Sequence, residues 1–162
     1  VARLDNGMAS LAKVIRGTYG MDVVPIAGAG AAGGLGGGFK ALLGARLEPG
    51  IDMVLNAMQF DKIISGSDLV ITGEGRIDRQ TTMGKAPSGV LRAAQAQGIP
   101  VVAIGGAVQP CKELSESGFA AVLPIVAGPV TLDVAMLCDV ATENVRRTAA
   151  QIAGLLTLQI TE

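Results

Sequence analysis

The stretch DLVITGEGRIDRQTTMGK, residues 68–85, decides the fold, because it passes directly from an apolar strand into a charged segment. Five of the twelve residues from Glu74 to Lys85 are charged, whereas 17% of the whole chain is charged. In open parallel α/β sheets, ligands bind beyond the carboxyl ends of the strands. The stretch therefore predicts a buried strand that carries functional side chains to one edge of such a sheet.

The sequence that follows supports a parallel sheet. Two further apolar runs, IPVVAIGG (99–106) and FAAVLPIV (119–126), are typical of buried strands. Helical patterns follow the first two strands, at 84–98 and 113–118, and a long helix is predicted at 131–156 with Thr131 as its N-cap. Unbroken apolar strands that alternate with helices indicate an α/β fold whose parallel sheet is covered on both faces.

The carboxyl ends of the three strands are predicted to be turns at 73–76, 105–107 and 127–129. Each turn contains glycine, which lets the backbone approach a ligand closely. The candidate ligand-contacting residues at or after the first two strand ends are four glycines, one amide and one hydroxyl: Gly73, Gly75, Gly105, Gly106, Gln80 and Thr81.

The charged residues of the first predicted turn suit a polyanionic ligand. Arg76 and Lys85 can neutralise phosphate oxygens. Glu74 and Asp78 can hold Mg²⁺, which keeps several waters and takes one or two carboxylates. The alternative is a solvated loop whose acids and bases pair only with one another, and the position at a strand end favours the functional interpretation.

The first sixty residues have a different pattern. An amphipathic helix is predicted from the start of the chain, with its apolar face running from Leu4 to Ile15 and with Gly17 and Gly20 ending it. The segment DVVPIA (22–27) contains proline, so that, if it is a strand, it is an edge strand. The composition changes near Ile63, which predicts two domain portions, 1–62 and 63–162.

A glycine-rich run, GAGAAGGLGGG, occupies residues 28–38 and has seven glycines in eleven positions. Its first six residues match GxGxxG, and Asp52 lies about twenty residues on, as in dinucleotide-binding folds. Pro25 weakens the strand that this fingerprint needs. We favour a phosphate- or carboxylate-binding loop over residues 28–38, and the alternative is close packing of helices.

The composition excludes several functions. The chain has 162 residues, a net charge of -1, a pI near 5.5 and only 2% aromatic residues, so a nucleic-acid or anionic-membrane partner is not expected. It contains no histidine and two isolated cysteines, which excludes a Cys/His zinc site and a Ser-His-Asp triad. Neither a signal peptide nor a membrane span is predicted, and we expect a cytoplasmic protein.

Four segments together resemble the carboxyl-terminal half of bacterial glycerate kinase, the type that forms 2-phosphoglycerate from D-glycerate and ATP. They are GAGAAGGLGGGFKALLGARLEPGIDMVL (28–55), SDLVITGEGRIDRQTTMGKAPSGVLRAA (67–94), PVVAIGG (100–106) and GPVTLDVAM (128–136). The similarity covers essentially the whole chain, and the segments TGEGRIDRQTTMGK and GAGAAGGLG carry most of its specificity.

The resemblance implies two α/β domains, one of them flavodoxin-like and built from both ends of a longer chain, the other inserted between those ends. Residues 1–62 would be the tail of the inserted domain, and residues 63–162 the second portion of the flavodoxin-like domain. The resemblance also implies phosphoryl transfer from ATP, with Mg²⁺, to glycerate. This chemistry relies on positioning and charge neutralisation and can proceed without histidine.

By position in the family's motif, the resemblance assigns Glu74 and Asp78 to the metal or the substrate hydroxyl. It assigns Arg76 and Lys85 to phosphate or the glycerate carboxylate. It assigns four glycines of the glycine-rich run to a backbone cradle: Gly28, Gly30, Gly33 and Gly34. We take these four as catalytic candidates and leave the identity of the base open, with Asp78 as the first choice. Two other functions stay open at this point: a dinucleotide-dependent oxidoreductase, and a non-catalytic fragment that binds a small anion.

We expect the sequence to be part of a longer protein, because it begins with Val1 inside a predicted helix. Three strong strands are predicted after Ile63, whereas flavodoxin-like sheets have about five. An open sheet edge favours association with other chains. We therefore expect the isolated chain to be inactive and either oligomeric or poorly soluble, and homo-oligomer formation is left open.

Overall fold

A computed structural model describes residues 2–157 of the chain. The chain divides after Met53 into two compact units. The proposed boundary between residues 62 and 63 falls inside a short helix, Phe60–Ile64, which belongs to the second unit. No helix of the described residues is both long and apolar enough to cross a membrane.

The first unit contains helices α1 (Ala2–Tyr19) and α2 (Ala31–Leu43), and helix α3 (Gly50–Ala57) begins at its end. Ile15 of α1 is buried, and so is Val23, which lies between α1 and α2. The segment 22–27 contains turns and no strand, so the edge strand that the sequence left open there does not form. Pro25 lacks a backbone N–H group, and the segment's hydrogen bonds run to nearby turn residues instead of a neighbouring strand.

The glycine-rich run is a loop only in its first half. The backbone is left-handed at Ala32, Gly33 and Gly34, and a regular helix follows as the rest of α2. A Cβ atom at Gly36 would lie 2.3 Å from the carbonyl oxygen of Gly28. The expectation of one loop over 28–38 is therefore wrong for its second half, where the absence of side chains permits the helix to pack against the loop.

The second unit alternates strands with helices. It contains α4 (Phe60–Ile64), β1 (Val70–Ile77), a 3-10 turn (Arg79–Thr82), α5 (Ala86–Gln95) and β2 (Val101–Val108), followed by α6 (Lys112–Ser115), β3 (Ala121–Pro124), α7 (Leu132–Ala135) and α8 (Cys138–Thr157). The strands form one parallel sheet in the order β1-β2-β3. The predicted α/β class with a parallel sheet is confirmed.

Strands β1 and β2 are longer than predicted. Their pairing runs from Val70 opposite Val101 to Ile77 opposite Val108. Residues 73–76 and 105–107 are thus strand residues, and the prediction of turns at these positions is wrong. Residues 127–129, where a third turn is predicted, lie beyond the end of the third strand at Pro124, and the chain bends at Gly128.

Apolar residues of the strands and helices form two buried clusters. One joins α4, β1, α5 and β2 and includes Ile64, Leu91 and Val101. The other consists of Ile77, Ala103 and Leu114 and lies beneath the carboxyl end of β1. Ile77 has no exposed surface, so the chain leaves β1 from a fixed point.

The long helix predicted at 131–156 is two helices. Thr131 is the N-cap of α7, as predicted, and its hydroxyl accepts a hydrogen bond from the backbone N–H of Val134 at 3.5 Å. Helix α7 ends after one turn, and α8 begins at Cys138.

The different surroundings of two glycines in α2 lead to a stability prediction. Gly36→Ala places a methyl group against the backbone of Gly28, which a rotamer change cannot relieve, and should lower the free energy of unfolding by about 1–3 kcal/mol. Gly38→Ala is the matched control, because no atom lies within 4 Å of its added Cβ. It should raise the free energy of unfolding by about 0.5–1 kcal/mol, since alanine favours helix. Chemical denaturation measures both, and equal effects would contradict the packing argument.

Candidate active site

Glu74 is the central acid at the carboxyl end of β1. Its carboxylate is held from two sides: Oε1 accepts a hydrogen bond from the Thr81 hydroxyl, and Oε2 lies 3.9 Å from Lys85 Nζ. The Glu74 side chain is 19% exposed and that of Lys85 is 40% exposed. The cluster is therefore open to solvent on the lysine side and closed on the threonine side.

Asp78 shapes the backbone that follows β1. It is the N-cap of the 3-10 turn, and its Oδ1 accepts a hydrogen bond from the backbone N–H of Gln80 at 2.8 Å. In return, the Asp78 backbone N–H donates to Thr81 Oγ1 at 3.1 Å. This reciprocal arrangement is a capping box, which satisfies two backbone donors at the start of a helical turn.

Arg76 lies between the acid and a glutamine from the next strand end. Its Nε is 3.5 Å from Asp78 Oδ2, and one terminal guanidinium nitrogen donates a hydrogen bond to Gln109 Oε1 at 2.7 Å. The Arg76 side chain is 65% exposed. These contacts orient the guanidinium while most of its surface stays accessible.

An open groove of ≈ 540 Å³ runs beside the 3-10 turn. It is lined by Asp78, Arg79, Gln80, Met83, Gln109 and Cys111. Arg79 forms an ion pair with Glu113, with 3.1 Å between Nε and Oε1. Gln109 was not predicted, because the second strand was expected to end in a turn at 105–107. It follows β2 directly, so the strand-end rule would have found it with the correct boundary.

The six residues predicted to contact a ligand near the first two strand ends have different environments. The hydroxyl of Thr81 has no exposed surface and is used within the protein, whereas Gln80 lines the groove. Added Cβ atoms at the strand glycines would lie 2.8 Å from Ile104 O (Gly73), 2.9 Å from Ile77 Cγ1 (Gly105) and 2.7 Å from Gly75 O (Gly106). Close packing between strands explains these three glycines, and only Gly75 has open space.

The glycine run of the first unit has its own surroundings. Gly28, Gly30 and Gly33 are exposed, whereas Gly34 is buried against Leu11 of α1. Ala32 has φ 51°, a left-handed conformation that costs a non-glycine residue about 1–2 kcal/mol. Backbone strain of this kind concentrates at ligand-binding segments.

A groove of ≈ 520 Å³ in this unit is lined in part by Gly28, Ala31 and Arg46. No role was predicted for Arg46 from the sequence. Arg46 also pairs with Glu48, with 3.0 Å between NH2 and Oε2. The dinucleotide fingerprint needs a strand before the glycines, and the described residues of this unit contain none. The interpretation of the run as a Rossmann motif is therefore wrong.

Glu74 and Asp78 are the acids of the site that could hold Mg²⁺. Among residues 2–157, no group of three or more acidic or cysteine side chains could enclose a metal ion. Glu74 and Asp78 offer hard oxygen ligands, and among the described residues one oxygen of each carboxylate accepts a hydrogen bond, so further lone pairs remain. Two carboxylates suit a Mg²⁺ ion that is otherwise held by substrate phosphates and water.

The sequence model of the glycerate kinase family matches residues 1–157. The chain belongs to this family. It is 46% identical over 153 residues to a glycerate kinase of Bacillus cereus, which covers 94% of the chain and 40% of that protein. It is 38% identical over 159 residues to glycerate 2-kinase of Escherichia coli, which covers 98% of the chain and 41% of that protein.

A crystal structure from Salmonella typhimurium LT2, provisionally named glycerate kinase 2, has the same fold. It aligns with a TM-score of 0.69 and 38% identity, over 99% of this chain and 40% of the other. The chain thus spans about two fifths of the length of these relatives. Family membership confirms the resemblance found in the sequence and leaves the oxidoreductase alternative without support.

The capping role of Asp78 predicts how stability responds to substitution. Asp78→Ala removes the acceptor for the Gln80 N–H and should lower the free energy of unfolding by about 0.5–2 kcal/mol. Asp78→Asn keeps an oxygen acceptor and should change it by only a few tenths of a kcal/mol, roughly. Urea denaturation of the two variants measures the difference. Equal destabilisation would mean that the charge of Asp78, and not its cap, stabilises the turn.

Proposed function

We propose that this glycerate kinase family member transfers the γ-phosphoryl group of ATP to D-glycerate and forms 2-phosphoglycerate. One observation carries the proposal: two acids and two cations, Glu74, Asp78, Arg76 and Lys85, meet at the carboxyl end of one parallel strand. Phosphoryl transfer needs positioned carboxylates and positive charge more than covalent catalysis. A site without histidine is suited to this chemistry.

The two cations are assigned to the negative charge of the substrates. Lys85 is a point charge on a flexible stem, which suits a phosphate oxygen that moves during transfer. Arg76 presents a planar guanidinium whose orientation is set by Gln109, which suits the paired oxygens of a carboxylate or phosphate. We therefore assign Lys85 to the transferred phosphate and Arg76 to the glycerate carboxylate or a phosphate.

The two acids are assigned to Mg²⁺ and the acceptor hydroxyl. When bound, Mg²⁺ neutralises charge on the phosphates of ATP. Glu74 and Asp78 would supply its protein ligands, and Asp78 is also our candidate for accepting the proton of the glycerate hydroxyl. Asp78 is suited to that role because it is one of the residues that line the groove, where a small hydroxy acid could bind.

We assign the glycines at the start of the glycine-rich run to a separate contact with an anion. The left-handed backbone of Gly28, Gly33 and Gly34 and the nearby Arg46 support this role. Gly28, Gly30, Gly33 and Gly34 would form the backbone cradle. Gly34 is its buried member, and a side chain there would be crowded, since an added Cβ would lie 3.1 Å from Leu11 Cδ2. Gly36 and Gly37 are excluded, because packing against residues 28 and 29 accounts for them.

We further propose that residues 1–62 are the end of the inserted domain and residues 63–162 the second portion of the flavodoxin-like domain. On this assignment, activity requires the remaining length found in the relatives, and the chain by itself should be inactive. We place the reaction in the cytoplasm, where the free cysteines Cys111 and Cys138 would stay reduced.

The decisive experiment measures ADP formation by the full-length protein with ATP, Mg²⁺ and D-glycerate. ³¹P NMR of the product distinguishes 2-phosphoglycerate from its 3-phospho isomer. Three parallel reactions are run. One contains L-glycerate in place of D-glycerate, one contains no acceptor, and one contains NAD in place of ATP. Absence of D-glycerate-dependent ADP formation would refute the proposed function. Turnover by the isolated chain at ~1 s⁻¹, the low end of ordinary enzyme rates, would refute the proposal that activity requires the remaining length found in the relatives.

The proposed role of Asp78 predicts a loss of catalysis without a loss of structure. Asp78→Asn should lower kcat by about 100-fold or more, the scale of a positioned catalytic group. Because asparagine preserves the cap, the unfolding curve should barely move. Steady-state kinetics with saturating ATP and glycerate measure the effect. Near-normal kcat would remove Asp78 from the catalytic groups.

The glycine run offers a substitution that tests ligand approach without backbone strain. Gly30 has φ -77° and ψ -8°, which alanine adopts readily, and no atom lies within 4 Å of its added Cβ. If the backbone here contacts a ligand, Gly30→Ala should raise KM for ATP or glycerate by about tenfold, equivalent to ~1.4 kcal/mol. Gly38→Ala is the control and should leave KM unchanged. An unchanged KM in both variants would assign the run to packing alone.

A further inference from the structure

Thr81 connects the two acids of the site through one buried hydroxyl. Its side chain is fully buried, its Oγ1 accepts the backbone N–H of Asp78 at 3.1 Å, and it donates a hydrogen bond to Glu74 Oε1. Glu74 belongs to β1, whereas Asp78 begins the turn after it. A single atom thus links the strand carboxylate to the backbone of the second acid.

The chemistry of a hydroxyl limits what Thr81 can do for a ligand. A hydroxyl has one proton to donate, and in Thr81 that proton is given to Glu74. The side chain also has no surface that a ligand could touch. Thr81 can influence the reaction only through the groups that it holds.

Glu74 depends on this hydrogen bond for its orientation. Its second neighbour, Lys85 Nζ, is 3.9 Å away, which is beyond hydrogen-bond distance, and the Lys85 side chain is 40% exposed. A lysine ammonium at that distance attracts the carboxylate without fixing the direction of its lone pairs. The Thr81 hydroxyl is therefore the contact that sets the rotamer of Glu74.

We infer that Thr81 is a positioning residue, which fixes the Glu74 carboxylate relative to Asp78 for the phosphoryl-transfer step. This inference rests on the proposed function. In this role Thr81 does not contact the ligand. The role also goes beyond that of the third residue of a capping box, which is purely structural. A structural role would change stability, whereas a positioning role changes turnover per folded molecule and requires Glu74.

The experiment compares Thr81→Val, which keeps the shape and removes the hydroxyl, with Thr81→Ser, which keeps the hydroxyl. In the full-length protein, Thr81→Val should lower kcat by about 10- to 100-fold, the range expected when a hydrogen bond to a charged group is lost. Thr81→Ser should stay within about threefold of wild type, because both hydrogen bonds can form. Thr148→Val is the control for a buried threonine, since Thr148 lies in α8 and is 4% exposed.

A double-mutant cycle tests whether Thr81 acts through Glu74. Glu74→Gln alone should lower kcat, and adding Thr81→Val to it should lower kcat by no more than about two- to threefold further, because coupled residues are not additive. The folded fraction of each variant is measured by circular dichroism and used to normalise kcat. KM for MgATP is measured in parallel, and we expect it to change less than kcat.

Each outcome supports or overturns the inference. Wild-type kcat in Thr81→Val, or effects of Thr81→Val and Glu74→Gln that multiply, would overturn it. If Thr81→Val does not fold, Thr81→Ser and Thr81→Ala make the same comparison, and equal kcat in this pair would overturn it. A wild-type protein that forms no D-glycerate-dependent ADP would instead refute the proposed function, so the two failures are distinguishable.

Discussion

The parallel pairing of β1 with β2 is the constraint on which the site depends. The pairing continues to the last residue of each strand, Ile77 opposite Val108. It needs very small residues, since a Cβ at Gly106 would lie 2.7 Å from the carbonyl oxygen of Gly75. Because the ladder extends this far, Glu74 and Arg76 are on a hydrogen-bonded strand. Their backbones are therefore positioned more rigidly than loop residues would be.

Buried residues at the end of β1 extend this rigidity into the turn. Ile77 and Thr81 have no exposed surface, and Asp78 lies between them with its cap formed. The chain is thus anchored on both sides of Asp78, by an apolar contact before it and a polar network after it. A catalytic carboxylate needs such support, because a displacement of about 1 Å can cost two orders of magnitude in rate.

Local sequence patterns predicted the parallel sheet, the helix after the charged segment and the Thr131 cap, because periodicity and capping are properties of neighbouring residues. They also singled out Glu74, Arg76, Asp78 and Lys85. They failed at Gly73 and Gly105, since glycine is a local signal for a turn, whereas here it permits close approach between strands. That contact joins residues about thirty positions apart, so no local pattern contains it. Gln109 was missed for the same reason, because its hydrogen-bond partner Arg76 is 33 residues away in the sequence.

The contacts of the acids and of the cations differ in strength, and this difference suits phosphoryl transfer. The pairs Lys85–Glu74 and Arg76–Asp78 are partly exposed, with N–O distances of 3.9 Å and 3.5 Å, so each contributes only about 0–1 kcal/mol. A phosphate or carboxylate ligand can therefore recruit either cation at little cost. The hydrogen bonds from Thr81 to Glu74 and from Gln80 to Asp78 involve buried or backbone groups, whose loss costs more. In the proposed reaction, Lys85 is free to follow the moving charge, Arg76 keeps the orientation that Gln109 gives it, and the acids stay where the strand and the turn hold them.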